Sequence, residues 1–318
     1  MTTYKEISGQ LIRTPSSDPA NPQTGQIWYN STIGVLKGYQ LVAEAWAAGG
    51  NLNTGRGHGG GFGIQTAAVA VAGVPTPATG SENYNGTSWT ASGSLNTARV
   101  YLAGCGTQTA GVAFAGYSPP ISNYTGATEK YNGSTWTTSG SLATAGAFVA
   151  GLGTQTAGLC VSGENRSTNV EEYNGSAWTA GGAYPINTKR FAGCGIQTAG
   201  LAFGGVTTPI VATTNEYDGS TWTAGGNLTV ATKEMGGAGT QTAGLAFGGT
   251  DPVSITGVTQ KYDGTSWTNT ISMTTARSYL MGCGTQTAAL AFGGRFPTSS
   301  ATEEYTGAFL ATQTLDTN

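Results

Sequence analysis

Charge is what this sequence has least of. Only 9% of its 318 residues are Asp, Glu, Lys or Arg, where roughly 25% is ordinary for a soluble globular chain. The formal net charge is −3 and no run of Lys or Arg forms a basic stripe. Binding that relies on neutralising phosphates is therefore not expected, and a nucleic-acid partner is excluded from the reading. Four cysteines are too few for a disulfide framework. A single histidine, His58, cannot supply a His-rich metal centre, and its Gly-rich surroundings make it read as a polar loop residue. No stretch approaches the roughly 18 apolar residues of a membrane span. The start, MTTYKEISGQ, has neither the basic nor the apolar region of a signal peptide. Synthesis in a cytoplasm without membrane insertion is expected. Nowhere is a 3.6-residue apolar period sustained, so no long helix is expected.

Glycine fills part of the gap, with 52 residues, about twice the average share. Gly and Asn reach the positive-φ conformations that dense turns need. The sequence also repeats itself. IQTAAVAVAG at Ile64 returns as TQTAGVAFAG, TQTAGLCVSG, IQTAGLAFGG, TQTAGLAFGG and TQTAALAFGG. The repeated glutamines are Gln65, Gln108, Gln155, Gln197, Gln241 and Gln286. Between them recurs Tyr-Asn/Asp-Gly-x-x-Trp, ending at Trp89, Trp136, Trp178, Trp222 and Trp267. A period in the low-to-mid forties, holding four strand-sized pieces, predicts propeller blades. The second strand of each unit, such as Leu201-Ala202-Phe203, is apolar on both faces and suits a position between neighbouring blades. The Asn-Gly or Asp-Gly pair predicts a type I′ hairpin between the third and fourth strands. A side-chain bond to neighbouring backbone would explain why the glutamine recurs.

The order of an apolar strand, a strand ending in Gly-Gly, a Tyr strand and a Trp strand resembles the kelch repeat of galactose-oxidase-like propellers. The Gly pair is complete at Gly204-Gly205, Gly248-Gly249 and Gly293-Gly294. The kelch-type Arg stands in register at Arg56, Arg99 and Arg277. The resemblance implies an all-β, six-bladed propeller of four-stranded antiparallel blades over residues 41–312, between an N-terminal arm (1–40) and a C-terminal tail (313–318). The sixth unit has Leu310 where Trp is expected, while Trp46 sits in WAAGGNLNTGR, parallel to WTASGSLNTAR at Trp89. Trp46 is thus expected to complete the last blade and to close the ring.

The kelch arrangement further implies that the loops after the second strand share one face. Those loops differ in every unit, and a recognition surface is expected there, at Pro75, Pro77, Tyr117, Tyr124, Arg166, Pro209, Asp251, Arg295 and Phe296. Catalysis is not expected. A copper-oxidase site needs two His ligands, and the adjacent Asp218-Gly219 departs from a sialidase Asp box. Glu171-Glu172 and Glu303-Glu304 are neighbours on strands, which sends their carboxylates to opposite faces. Cys105, Cys194 and Cys283 read as buried free thiols. No cofactor and no metal are called for.

The arm carries Pro22, Gly25, Trp28, Tyr29, Asn30, Gly34, Leu36 and Gly38 in a pattern that resembles short segments of tailed-phage tail and appendage proteins. With its GTQTAG-type repeats, the whole chain resembles low-charge propellers of marine phages. That resemblance implies a non-enzymatic virion protein. Pro22, Trp28, Tyr29 and Leu36 would dock to other virion proteins, and the propeller would be displayed as a tail fibre, appendage or decoration. A host-surface glycan or protein is the expected external partner, and homo-oligomers are compatible with this reading. The alternatives are an intracellular kelch-type interaction scaffold and a lectin-like glycan-binding propeller.

Overall fold

In the computed structural model, which describes residues 12–75, 79–119 and 123–315, the chain is all-β and the described residues contain no α-helix. Two compact units divide it: Trp46–Thr306, and a smaller unit that joins the chain up to Ala45 with the chain from Gly307 onward. These limits differ from the expected 41–312. The smaller unit is a three-stranded sheet in which β1 (Ile27–Asn30) and β2 (Val35–Val42) form a hairpin. The strand Phe309–Thr314, expected to split between last blade and tail, pairs along β2 instead, from Val42↔Phe309 to Lys37↔Thr314. It has no Trp to fill a slot between sheets.

The larger unit contains six four-stranded antiparallel sheets among its described residues. Sheet 2 shows the plan: Ala103–Thr107, Ala110–Phe114, Thr128–Tyr131 and Trp136–Ser139 run from inside to outside. Sheets 1, 3, 4 and 5 repeat it over residues 60–92, 150–180, 192–224 and 236–270. Sheet 6 draws three strands from residues 281–306 and takes its outer strand, β3 (Ala45–Ala48), from the start of the unit. Innermost strands lie side by side in sequence order, and that of sheet 6 lies beside that of sheet 1. Their glycines permit this closeness: a Cβ on Gly61 would come within 2.7 Å of the Phe292 ring.

Two repeated side chains link each sheet to the one before it. Every repeated Gln donates its amide to two backbone carbonyls there, as Gln155 does to Gly111 and Tyr131 at 2.9 and 2.7 Å. Gln65 reaches from sheet 1 to Ala289 and Tyr305 of sheet 6. Each Trp indole also donates backward, Trp89 to Thr302, Trp178 to Thr128, Trp267 to Thr214 and Trp46 to Thr259. Trp136 finds Ser81 in the same way. Val170 stands where the others have a hydroxyl, and Trp222 bonds the Gly182 carbonyl instead.

The Asn-Gly hairpins are not type I′. Tyr84 pairs with Trp89 across a four-residue loop, and of Asn85 and Gly86 only Gly86 has positive φ. Asn85 keeps an ordinary backbone because its side-chain oxygen accepts the amides of Thr87 and Ser88, an Asx arrangement that competes with the tight turn.

Candidate functional site

Seven residues before each repeated Gln, the chain enters the innermost strand through one unusual residue. These are His58, Tyr101, Phe148, Arg190, Glu234 and Tyr279, and each has φ between 53° and 62°, which is uncommon for any non-glycine side chain. What over-determines the conformation is a circuit of six backbone hydrogen bonds. Tyr101 donates to His58, Phe148 to Tyr101, Arg190 to Phe148, Glu234 to Arg190, Tyr279 to Glu234 and His58 to Tyr279, at 2.7–3.2 Å. Just before each lies a residue bridged to the start of a variable loop, in the pairs Gly57↔Val74, Val100↔Tyr117, Ala147↔Glu164, Lys189↔Val206, Lys233↔Thr250 and Ser278↔Arg295. The six residues thus sit where the variable loops begin.

Together they line a cavity of about 140 Å³. The next residues along the chain, among them Leu102, Val149, Phe191, Met235 and Leu280, give it an apolar floor. On the rim, His58 stacks on Tyr279 at 3.9 Å and Tyr101 on Phe148 at 4.1 Å. Arg190 lies over the Phe148 ring at 4.7 Å and pairs with Glu234 at 2.9 Å. Glu234 also accepts from Thr250 and lies 3.4 Å from Lys233. Burial pushes the Tyr279 hydroxyl up, and its hydrogen bond to Glu234 adds to this. His58 is buried, 8% exposed, and neither of its ring nitrogens has a partner among the described residues. Burial lowers its pKa to about 3, helped by the nearby Arg295 and Arg190. It is a neutral imidazole at ordinary pH, not a solvated loop residue.

Of the expected recognition residues, Pro75, Pro209 and Phe296 are exposed, while Asp251, Arg295, Tyr117 and Tyr124 are half-buried. Arg295 lies over the Phe296 ring at 5.1 Å, and Tyr117 and Tyr124 meet edge to face across a small hairpin. Pro77 lies outside the described residues. Arg166 is a correction: it is 1% exposed and pairs with Glu171 at 2.9 Å. Glu171 takes the place of Glu82, Glu129 and Glu303, which pair with Arg56, Arg99 and Arg277. Sheet 3 has Gly146 where those arginines stand, and Arg166 threads into the space that a side chain there would fill.

In the smaller unit, Trp28 is also a correction, since it is fully buried and cannot meet a partner directly. Its indole donates to Asp18, which also accepts from Asn30 and pairs with Lys37 at 2.6 Å. Tyr29 is 40% exposed, and Pro22 and Leu36 are half-buried. The cysteines are buried free thiols; Cys105, Cys194 and Cys283 each lie near a carbonyl of the following sheet.

Five of the six rim residues escaped the sequence reading and His58 reads there as a polar loop residue, although a signal for the ring was present. With the repeats aligned on their glutamines, the seventh residue upstream reads His, Tyr, Phe, Arg, Glu, Tyr, beside strands that hardly change.

No family model and no curated protein matches the chain. Among solved structures, the one titled "Structure of YjhT" matches with a TM-score of 0.67 at 11% identity, over 82% of this chain and 99% of that one. At that identity the likeness speaks to fold alone, and the chain has an all-β, propeller-like fold of four-stranded antiparallel sheets in common with that structure.

Proposed function

We propose that this is a non-enzymatic recognition protein of a phage particle: a six-bladed propeller, closed by β3, that offers its variable-loop face to an external ligand. One observation carries the recognition part. Six equivalent backbone positions, locked into one conformation, bear side chains of quite different chemistry around a single open cavity. A scaffold that needed only to hold its shape would have no use for that diversity. The carboxylates of the sheets, four buried and three half-buried, support a non-catalytic reading, because they are engaged in holding the fold. Glu82, Glu129, Glu171 and Glu303 pair with arginines, and Glu172, Glu216 and Glu304 accept tyrosine hydroxyls.

The virion placement rests on the resemblance of repeats and arm to phage proteins. With Trp28 inside the smaller unit, the docking surface of that unit centres on the exposed Tyr29, Ile33 and Leu41. Quantitative mass spectrometry of purified particles of a phage encoding this chain tests the placement. Hundreds of copies per particle mean a decoration, and a few dozen or fewer mean a tail appendage. Absence from the particle sinks the virion reading and favours the intracellular scaffold.

A further inference from the structure

His58 narrows the ligand class. A neutral imidazole presents one N–H donor and one lone-pair acceptor, and a buried polar atom without a partner is costly enough to need an explanation. Both His58 nitrogens are in that state at the edge of an open cavity. The Nε of Arg190 is equally unpartnered, but so are those of Arg99, Arg166 and Arg277, so the arginine alone singles out nothing. The ligand must donate a hydrogen as well as accept one. A carboxylate offers only acceptors, and it would leave the imidazole lone pair facing negative charge. A pair of hydroxyls supplies both functions. The cavity is small, about 140 Å³ against roughly 300–1,000 Å³ for sites that hold drug-sized ligands, so it admits one small unit. Its apolar floor suits the C–H surface of a ring whose hydroxyls turn to the rim.

We infer that the mouth ringed by His58, Tyr101, Phe148, Arg190, Glu234 and Tyr279 binds a single uncharged sugar residue, such as the terminal unit of a glycan, with a hydroxyl pair bridging His58 and Arg190. This inference rests on the recognition reading above and gives it a ligand class.

Because the chain has one histidine, its imidazole is an unambiguous NMR reporter. The full-length protein, labelled with ¹⁵N-histidine, is titrated with the methyl glycosides of glucose, galactose and mannose, and separately with acetate and acetamide. The expected result is a saturable shift of both imidazole nitrogens with at least one methyl glycoside and none with acetate or acetamide. His58→Phe, whose ring keeps the stack on Tyr279, is expected to bind that glycoside about tenfold more weakly or worse by saturation-transfer NMR. Silence toward all three glycosides overturns the inference, as does a response to acetate or acetamide, or undiminished binding by a folded His58→Phe variant. Any of these outcomes leaves the particle count, and hence the virion reading, untouched.

Discussion

Buried charge in this molecule is kept in matched sets. Arg99 and Glu129 are 0% and 1% exposed and lie 3.0 Å apart. Sheets 4 and 5 do without the pair: Thr188 and Thr232 replace the arginine, and Asn215 and Gln260 the carboxylate. Both charges go together because one alone would be stranded, at about 3–5 kcal/mol. Glu129→Gln is therefore expected to lower stability by about that amount in urea unfolding. Replacing both, Arg99→Thr with Glu129→Asn, is expected to cost less than the single change, and a double variant that is additively worse would refute the coupling. His58 makes a second residue-level prediction. Burial first, and then Arg295 and Arg190, hold its pKa at about 3, while an unfolded histidine titrates near 6.5; Tyr101, Tyr279 and Glu234 are the other titratable groups around it. Between those values the unfolded chain binds a proton that the folded one refuses. Its contribution to stability is thus complete above about pH 6.5 and declines as the pH falls toward about 3. Between about pH 7 and about pH 4.5 the melting temperature of the wild type should drop more than that of His58→Phe. Parallel drops would show that His58 is not the responsible group.

Between elements, the glutamines do what hydrogen bonds within a sheet cannot, tying one sheet to the backbone of another. Gln155→Ala strips a partner from the carbonyls of Gly111 and Tyr131 and is expected to cost about 1–3 kcal/mol, read from denaturant midpoints. No change in midpoint would mean that solvent replaces the amide without penalty. This device was legible in the sequence because one physical demand, two lone carbonyls at each junction, is met six times by the same residue. Trp46 was legible for a similar reason, since its slot against Phe247 and Tyr305 needs the shape that recurs at every other junction. The hairpin type was not, because Asn-Gly allows both a left-handed Asn and an Asx loop, and only surrounding structure chooses. Trp28 and Arg166 misled for one cause: a large residue outside the repeated strands looks available until its partner, Asp18 or Glu171, is known to reach it. The rim was hidden by the opposite effect, since repeats are recognised by what stays constant and the rim is what varies.

Over the whole of residues 46–306, the first and last sheets are joined by the same bonds as any other pair, through Gln65 and Trp89. An open array of repeats frays from its ends, each unit leaning only on its neighbours. The six-bladed closure proposed above would leave no ends to fray. Hydrogen exchange offers the comparison: amides of Ala67–Val71 in sheet 1 and Ala288–Phe292 in sheet 6 are expected to exchange as slowly as those of Ala199–Phe203 in sheet 4. Markedly faster exchange in sheets 1 and 6 would indicate an open array.

The circuit of backbone bonds at the mouth has a bearing on how such a protein changes over generations. Six side chains hang from a frame that their own atoms do little to hold, since main-chain groups alone close the circuit. The frame already accepts imidazole, phenol, phenyl, guanidinium and carboxylate at equivalent places. Arg190 and Glu234 change as a pair, and the other places can be rewritten separately, like letters of a six-letter word, while the page stays flat. A lineage carrying this fold can follow a shifting target by spelling new words at the mouth, with the sheets left as they are.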